Sequence, residues 1–320
     1  MKKYALIIAA AAAIATACSK ENKAPEADFV DAVFSFKGLP MPSKAFSDGK
    51  SAKELVVGVY NVADGAYADA SAYKFLGDVS VPAGTTGDKA IVFNEQLKAQ
   101  FKTKLVKGQY YKLVFWAQVP GNTHYAVDLD THKVTVTYGT AANDETRDAF
   151  YAAYETGKVS AAIDADIELH RPFAQINVLS TNEDIAAAQA VGVRFTKSAM
   201  HIENAHNSLD LLTGAASGDV TANFLVAPVA DYDTPFGSYA TTHKYIAMNY
   251  VLAGERANHT VVFDVYREGS DAILNTISVS NVPFERNYRT NLIGNIFTVD
   301  AEFNLEIVPD YKTPDHNVGL

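Results

Sequence analysis

A strand, a polar loop and a second strand occupy residues 28–60, and this stretch constrains the fold more than any other. Apolar side chains stand at every second position of its first part: Val30, Ala32, Phe34 and Phe36. A period of two predicts a β-strand with one buried face. The nearly continuous apolar run at residues 55–60 is typical of an interior strand. Because the loop between them is polar, we expect the first strand to be joined to the fold by a cuttable connection, and so to be detachable.

Further apolar runs predict strands along the whole chain. They lie at residues 72–77, 90–93, 110–119 and 133–138, and then at 193–196, 208–212, 220–228, 244–252, 260–267, 273–279 and 287–307. A further strand is predicted from Ile167 to Val178, and its apolar phase shifts at Pro172. Because proline cannot donate to a ladder, this strand is expected to lie at an edge or to contain a bulge. The sequence therefore predicts an all-β fold of two mainly antiparallel domains, residues 28–166 and 167–308.

Two helices are predicted among these strands. The first covers residues 143–156, with Asn143 as its N-cap and Gly157 as its stop signal. The second begins at Thr181 and Asp184, which have the spacing of a capping box. Residues 309–320, which contain two prolines, are predicted to be a tail.

The first residues have the pattern of an export signal. Two lysines precede an uninterrupted apolar run at residues 5–15, which is too short to span a bilayer. The small residues that follow, ending in Ala17 and Cys18, resemble the lipobox of bacterial lipoproteins, although Ala15 stands where leucine is usual. We expect cleavage between Ala17 and Cys18, lipidation of Cys18, and a tether over residues 18–27. The next three residues, Ser-Lys-Glu, either direct export to the outer face of an outer membrane or are plain tether.

The charge and the motifs argue against several function classes. A net charge of -10 disfavours nucleic-acid binding. His201 and His206 are five residues apart, which is not the spacing of two zinc ligands on one helical face. The polar residues His124, Asp128, Asp130 and His132 lack a ligand motif and are interpreted as a surface loop. No catalytic residue, metal site or cofactor is predicted.

Several segments of the mature chain resemble the fimbrillins, the subunit family of type V pili. They are KAFSDGKSAKELVVGVYN at 44–61, RPFAQINV at 171–178, LLTGAASGD at 211–219, KYIAMNYVLAG at 244–254 and VPFERNYRTNLIGNIFT at 282–298. The resemblance implies two transthyretin-like β-sandwiches, synthesis as a lipoprotein precursor, and assembly by strand exchange. In that assembly a protease cuts the loop after the first strand, and the vacated groove accepts a strand from the next subunit.

The processing site is where this chain departs from the family, whose cut commonly follows an arginine. No arginine precedes Arg147 here. The resemblance points to Lys44 as the processed residue, with Lys37, Lys50 and Lys53 as alternatives. A trypsin-like protease that accepts lysine is therefore expected, or the loop lysines serve solvation alone.

The strand that would be donated to the next subunit is expected near the C-terminus. Apolar residues alternate there with polar ones: Phe297, Val299, Ala301, Phe303, Leu305 and Ile307. The alternative is that this strand belongs to its own domain. The resemblance implies other pilus subunits as partners, an outer-membrane lipid anchor for the precursor, and a place in the pilus after processing. The alternative function is a monomeric surface lipoprotein that binds a glycan or another ligand.

Overall fold

The computed structural model describes residues 28–37, 49, 51–81, 99–229, 239, 241–298 and 303–308. Several sequence predictions concern residues outside these ranges: Ala17, Cys18, Lys44, Lys50, Val299, Ala301, and the strand at 90–93. Within the described ranges, no helix has the length and apolar character that a membrane span requires.

The first half of the chain is built almost wholly of strands. These are β1 (Phe29–Lys37), β2 (Glu54–Val62), β3 (Tyr73–Val81), β4 (Ala99–Val106), β5 (Tyr110–Gln118), β6 (Tyr125–Asp128), β7 (Lys133–Val136), β8 (Thr140–Ala141), β9 (Phe150–Lys158) and β10 (Ile163–Glu168). Three short 3-10 helices, Ala63–Gly65, Ala70–Ala72 and Glu145–Arg147, lie between them.

The second half continues with strands and one α-helix. The strands are β11 (Phe173–Thr181), β12 (Phe195–Ala205), β13 (Ser208–Asp210), β14 (Ala216–Ser217), β15 (Val220–Pro228), β16 (His243–Leu252), β17 (Ala257–Arg267), β18 (Ile273–Phe284), β19 (Arg289–Gly294) and β20 (Phe303–Val308). The helix α1 (Asn182–Ala190) follows β11. The predicted all-β class is confirmed.

The described strands form five sheets. Their orders are β10-β1-β4, β3-β2-β5-β9, β14-β13-β7-β6, β18-β17-β12-β15-β8 and β16-β11-β19-β20. Most pairs are antiparallel, but β1 with β10, β11 with β19, and β15 with β8 are parallel. The first strand of each half therefore has the same surroundings. β1 lies between antiparallel β4 and parallel β10, as β11 lies between antiparallel β16 and parallel β19.

Three hydrophobic clusters make up the core of the described residues. One is confined to residues 32–169, and a second is drawn from residues 142–296. A third takes residues from both halves, including Trp116 and Tyr125 with Phe173 and Tyr250. The first-half strands β7 and β8 also pair with β13 and β15 of the second half. The domain boundary at residues 166–167 stays a prediction.

The helix predicted at residues 143–156 is wrong, because this segment contains a 3-10 turn and then β9. Phe150 and Tyr154 fit one helical face, but they equally fit one face of a strand, and pairing with β5 favours the strand. Asn143 does not cap a helix and has a φ of 61°. Its side-chain amide donates to Ser198 Oγ and to the carbonyl oxygen of Pro228, at 3.1 and 2.8 Å.

The second predicted helix is confirmed as α1. The hydroxyl of Thr181 accepts a hydrogen bond of 3.1 Å from the backbone N–H of Asp184, as a capping box requires. Pro172 does not mark an edge or a bulge, since it directly precedes β11, which is interior to its sheet. Besides β9, five strands were not predicted, β4, β6, β8, β10 and β14, and two of these, β4 and β10, are the partners of β1.

Candidate functional site

The first candidate site is the groove that holds β1, formed by β4 and β10 on its two sides. β1 is the middle strand of this sheet, so both of its backbone edges form ladders. Eight residues pair with β4, from Phe29 opposite Val106 to Phe36 opposite Ala99. Six residues pair with β10, from Ala32 opposite Ile163 to Lys37 opposite Glu168. Without β1, the facing edges of β4 and β10 would both lack a partner.

One face of β1 is buried in the first hydrophobic cluster. Ala32 and Phe34 are completely buried, Phe36 is 3% exposed, and Val30 is half-buried against the same cluster. The alternation predicted from the sequence is thereby confirmed. Displacement of this strand stays a prediction.

Phe34 of β1 contacts three aromatic rings of neighbouring strands. Its ring stacks on Phe101 of β4 at 6.1 Å, and it meets Phe115 of β5 and Tyr154 of β9 at 5.9 and 5.4 Å. Phe36 packs edge-on against Phe115 at 5.1 Å. β1 thus joins the core through two aromatic rings and adjacent backbone edges.

The opposite face of β1, with Phe29, Asp31, Val33 and Ser35, is more exposed, and the polar contacts on it and at the start of the strand are weak. Gln100 of β4 donates to the hydroxyl of Ser35 at 3.2 Å. Asp28 pairs with Lys107 at 3.2 Å, but both side chains are about half exposed or more. Such pairs are worth less than about 1 kcal/mol, so the apolar face dominates the docking of β1.

The connection from β1 to β2 is described only at its ends. Lys37 is the last residue of β1, and Lys53 is exposed directly before β2. Just before β2, the backbone N–H of Ala52 donates to the carbonyl oxygen of Gly49 at 3.1 Å, and that of Lys53 donates to the carbonyl oxygen of Ser51 at 2.9 Å. Of the predicted processing sites, Lys53 is therefore accessible on the described surface.

The predicted donor strand is divided by the structure. Phe297 is not in a strand but stacks on Phe195 at 4.2 Å and packs against the second hydrophobic cluster. Phe303, Leu305 and Ile307 lie in β20, which pairs antiparallel with β19 at the edge of its own sheet. β20 is thus seated in its own chain, while its role as a donor stays a prediction.

Asp184 holds the segment that leads into β20, and sequence analysis assigned it only a capping role. Its carboxylate accepts hydrogen bonds from the backbone N–H groups of Ile296, Phe297 and Thr298, at 2.6, 2.9 and 2.9 Å, and from the hydroxyl of Ser180 at 2.8 Å. Burial tends to raise the pKa of Asp184, but these hydrogen bonds outweigh it and hold the pKa below its ordinary value. No sequence signal short of knowing the tertiary contact could have identified this role.

A second candidate site is a cleft between the β3-β2-β5-β9 sheet and the hairpin of β6 and β7. Its volume is about 480 Å³, and it is lined by Glu54, Val56, Phe75, Gln118, Tyr125, Val127, Asp128, Leu129 and Asp130. These side chains combine two aromatic rings with three carboxyl groups, and none of them is basic. Trp116 is not available to a ligand, because it is 1% exposed and its indole N–H donates to Gln118 Oε1 at 2.8 Å.

Of the polar residues predicted as a surface loop, Asp128, Asp130 and His132 lie around the turn between β6 and β7, whereas His124 is buried. His124 is largely buried and pairs with Asp144 at 2.8 Å, whereas His132 pairs with Asp210 at 3.0 Å. Asp128 accepts the backbone N–H of Asp130 at 3.0 Å and so closes the hairpin turn. No group of three metal-ligating side chains is found in the described ranges.

Comparison with known proteins gives one family and several structures. A model of a family of unknown function, DUF6562, matches residues 60–319. No curated protein matches the chain.

Three solved structures illustrate the structural similarity. A Bacteroides thetaiotaomicron protein, provisionally termed polysaccharide binding, has 10% identity and a TM-score of 0.49, with 87% of this chain and 95% of that chain covered. A fimbrial assembly protein of Parabacteroides distasonis has 12% identity and a TM-score of 0.48, with 88% and 96% covered. The tip fimbrial protein Mfa3 of Porphyromonas gingivalis, truncated at its C-terminus, has 10% identity and a TM-score of 0.46, with 88% and 99% covered.

Proposed function

The chain belongs to the family of unknown function DUF6562, and for this member we propose the role of a fimbrillin-like surface subunit that polymerises by strand exchange and serves adhesion. One observation carries the proposal: β1 fills the middle of a sheet and is buried on one face, while the lysine-bearing segment after it is its covalent link to the rest of the fold. The sequence resemblance to fimbrillins supports it.

The energetics of β1 favour replacement over simple loss. Burying a large apolar side chain is worth about 1.5–3 kcal/mol, and Phe34 and Phe36 are both buried. An empty groove would expose the apolar side chains that pack against Phe34 and Phe36, and it would leave two strand edges unpaired. A subunit that has lost β1 would therefore bind another extended strand strongly, through β-strand addition.

Processing is proposed within the segment that follows β1. A trypsin-like protease would cut after Lys44, or after one of the alternatives Lys37, Lys50 and Lys53. Cutting removes the covalent link but not the packing of Phe34 and Phe36, so β1 stays in place until a second strand competes. The proposed competitor is the C-terminal strand of another subunit, which includes Phe303, Leu305 and Ile307.

The proposed location follows from the N-terminal residues. Cleavage after Ala17 and lipidation of Cys18 would anchor the precursor in the outer membrane with its body at the cell surface. The lipidated tether over residues 18–27 leads directly into β1. Release of β1 would thereby also release the rest of the subunit from its anchor.

The test replaces the four lysines near the cut, Lys37, Lys44, Lys50 and Lys53, by glutamine in cells that express the full chain. We expect polymer ladders on gels of unboiled samples to disappear and the uncut precursor to accumulate. The control replaces four exposed lysines elsewhere, Lys74, Lys133, Lys158 and Lys244, and should leave polymers unchanged. Unchanged polymers in the first variant would contradict processing at these sites.

A second function, ligand binding by a monomeric surface lipoprotein, is favoured by the cleft described above. Its volume lies within the range of about 300–1,000 Å³ that is usual for ligand sites. Aromatic rings beside carboxyl groups suit a neutral glycan or a cationic ligand. The purified chain would be applied to columns of neutral polysaccharide. Retention of the wild type that is lost in Phe75→Ala would support this alternative. Equal retention of the wild type and the variant would count against it.

A further inference from the structure

The strand that plugs the groove has a near copy at the other end of the chain. Residues 30–36 read VDAVFSF and residues 299–305 read VDAEFNL. The valine, aspartate, alanine and phenylalanine are identical at the same spacing, and the last position is phenylalanine in one and leucine in the other. We propose that this segment of a second copy of the chain occupies the groove in the same direction and register as β1, an inference that rests on the proposed strand exchange.

The buried face of the groove explains which positions are shared. Ala32 is completely buried, so only a small side chain fits there, and Ala301 supplies one. Phe34 is held by three aromatic rings, and Phe303 would place an identical ring among them. Leu305 is a smaller apolar side chain that would enter the Phe36 position.

The outer face of the groove explains where the two segments differ. In β4, Lys104 stands opposite Asp31 and Lys102 stands opposite Val33. The second segment keeps the first carboxylate as Asp300 and adds another, Glu302, opposite Lys102. Opposite charges across a strand pair contribute about 0.2–1 kcal/mol, which is about a 1.4- to 5-fold change in affinity. Asp164 of β10 borders the same position and reduces this advantage.

The direction of entry is fixed by the same side chains. If the segment entered in reverse with Phe303 kept in place, Leu305 would meet the site of Ala32 and Ala301 would leave a void at the site of Phe36. Overpacking at one position and a cavity at another both reduce affinity. Entry parallel to β10 and antiparallel to β4 is therefore the arrangement that the sequence of the second segment fits.

The test uses the full chain with an inserted protease site between Lys37 and Lys53, cut once, and fluorescent peptides spanning residues 297–308. The unmodified peptide should bind the cut protein and not the intact one. Phe303→Ala should lower affinity at least about 100-fold and Ala301→Phe at least about tenfold. The matched control Asn304→Ala, at an outward position, should stay within about threefold, and a peptide of reversed sequence should fail to bind.

Disulfide formation between introduced cysteines measures the register directly. In a Cys18→Ser background, which has no other cysteine, Lys102→Cys in the protein should form a disulfide with a Glu302→Cys peptide. Asp300→Cys and Asn304→Cys peptides should react much less, because disulfides need Cβ atoms about 3.8 Å apart.

The outcomes distinguish the proposed register from the strand exchange on which it rests. If the peptide binds the cut protein but forms its disulfide best through Asp300→Cys or Asn304→Cys, strand exchange stands and the proposed register is wrong. If the peptide of reversed sequence binds as well as the unmodified one, strand exchange stands and the proposed direction is wrong. The binding assay is repeated in a urea concentration that leaves the far-ultraviolet circular dichroism of the cut protein unchanged. If no peptide binds the cut protein under these conditions either, both proposals fail.

Discussion

The carboxylate of Asp184 accepts a hydrogen bond of 2.9 Å from the backbone N–H of Phe297, although the two residues are 113 positions apart. Asp184 lies in the first turn of α1, and Phe297 lies between β19 and β20. The start of α1, the single α-helix among the described residues, therefore anchors the segment that leads into β20. One carboxylate thus holds the segment before this C-terminal strand, while the strand itself pairs with β19.

The first prediction concerns Asp184→Asn. An uncharged amide retains the size of the side chain but loses charge-assisted hydrogen bonds, which are worth about 1.5–3 kcal/mol each. We expect the free energy of unfolding in urea to fall by about 2 kcal/mol or more, and amide exchange at Phe297 and Thr298 to accelerate. Glu183→Gln, an exposed neighbour in the same turn, is the control and should change little. Equal effects of the two variants would contradict this role.

The second prediction concerns pH. The pKa of Asp184 is lowered in the fold, so its contribution to stability is fully present above the unfolded pKa of about 4. The contribution is lost as the pH falls below about 4 toward the folded pKa. The difference in unfolding free energy between the wild type and Asp184→Asn should therefore shrink from pH 7 to pH 3. A difference that stays constant over this range would show that ionisation of Asp184 is not the cause.

The third prediction concerns the buried pair of Arg171 and Asp148. The guanidinium donates twice to the carboxylate, at 2.6 and 2.8 Å, and both side chains are at most 3% exposed. Arg171→Met leaves the carboxylate buried without this partner, so we expect a loss of about 3–5 kcal/mol in urea unfolding. Lys197→Met, which breaks the exposed pair with Asp271, should cost less than about 1 kcal/mol. Similar losses in the two variants would refute the assigned difference.

The fourth prediction separates the two faces of β1. Phe34→Ala should destabilise the intact chain by about 3–5 kcal/mol, because Phe34 is completely buried among aromatic rings. Val33→Ala, on the half-exposed face, should cost clearly less. Urea unfolding of both variants decides the matter, and a larger loss for Val33→Ala would mean that the apolar face does not hold the strand.

The fifth prediction concerns the lipid anchor. No other cysteine is present, so Cys18→Ala removes the only thiol that could carry a thioether-linked lipid. We expect metabolic labelling with a fatty acid to be lost and the precursor to stay uncleaved or to be released. Label that persists in the variant would overturn the lipoprotein proposal.

Local patterns predicted several elements well because their causes are local. The alternation in β1 corresponds to its buried face, and the spacing of Thr181 and Asp184 predicted α1. The segment at residues 143–156 failed because a spacing of four suits both a helix and one face of a strand, and pairing with β5 decided between them.

The candidate groove could be predicted only in part. The strand that fills it was evident from its period, but its walls were not, since neither β4 nor β10 was predicted. Polar residues alternate with apolar ones in both walls, so these strands carry the same local signal as β1. What that signal does not show is that the walls lie on opposite sides of β1, where Lys102 and Asp164 are both opposite Val33. Their pairing across β1 is a long-range contact that local propensity does not encode. The anchoring role of Asp184 is of the same kind.

The parallel pairing of β1 with β10 has a consequence for the order of folding. Ala32 pairs with Ile163, so a segment of about 130 residues must be made before this ladder can close, and loop closure over such a length is slow. β1 is synthesised before the other described strands, yet this long-range pairing predicts that it is among the last elements of its half to dock. We therefore expect a slow final phase in refolding, sensitive to Phe34→Ala, in which the first hydrophobic cluster is still open. A foreign strand present during that interval could enter without any prior cut, so under the proposed strand exchange newly made chains would be kinetically exposed to premature polymerisation.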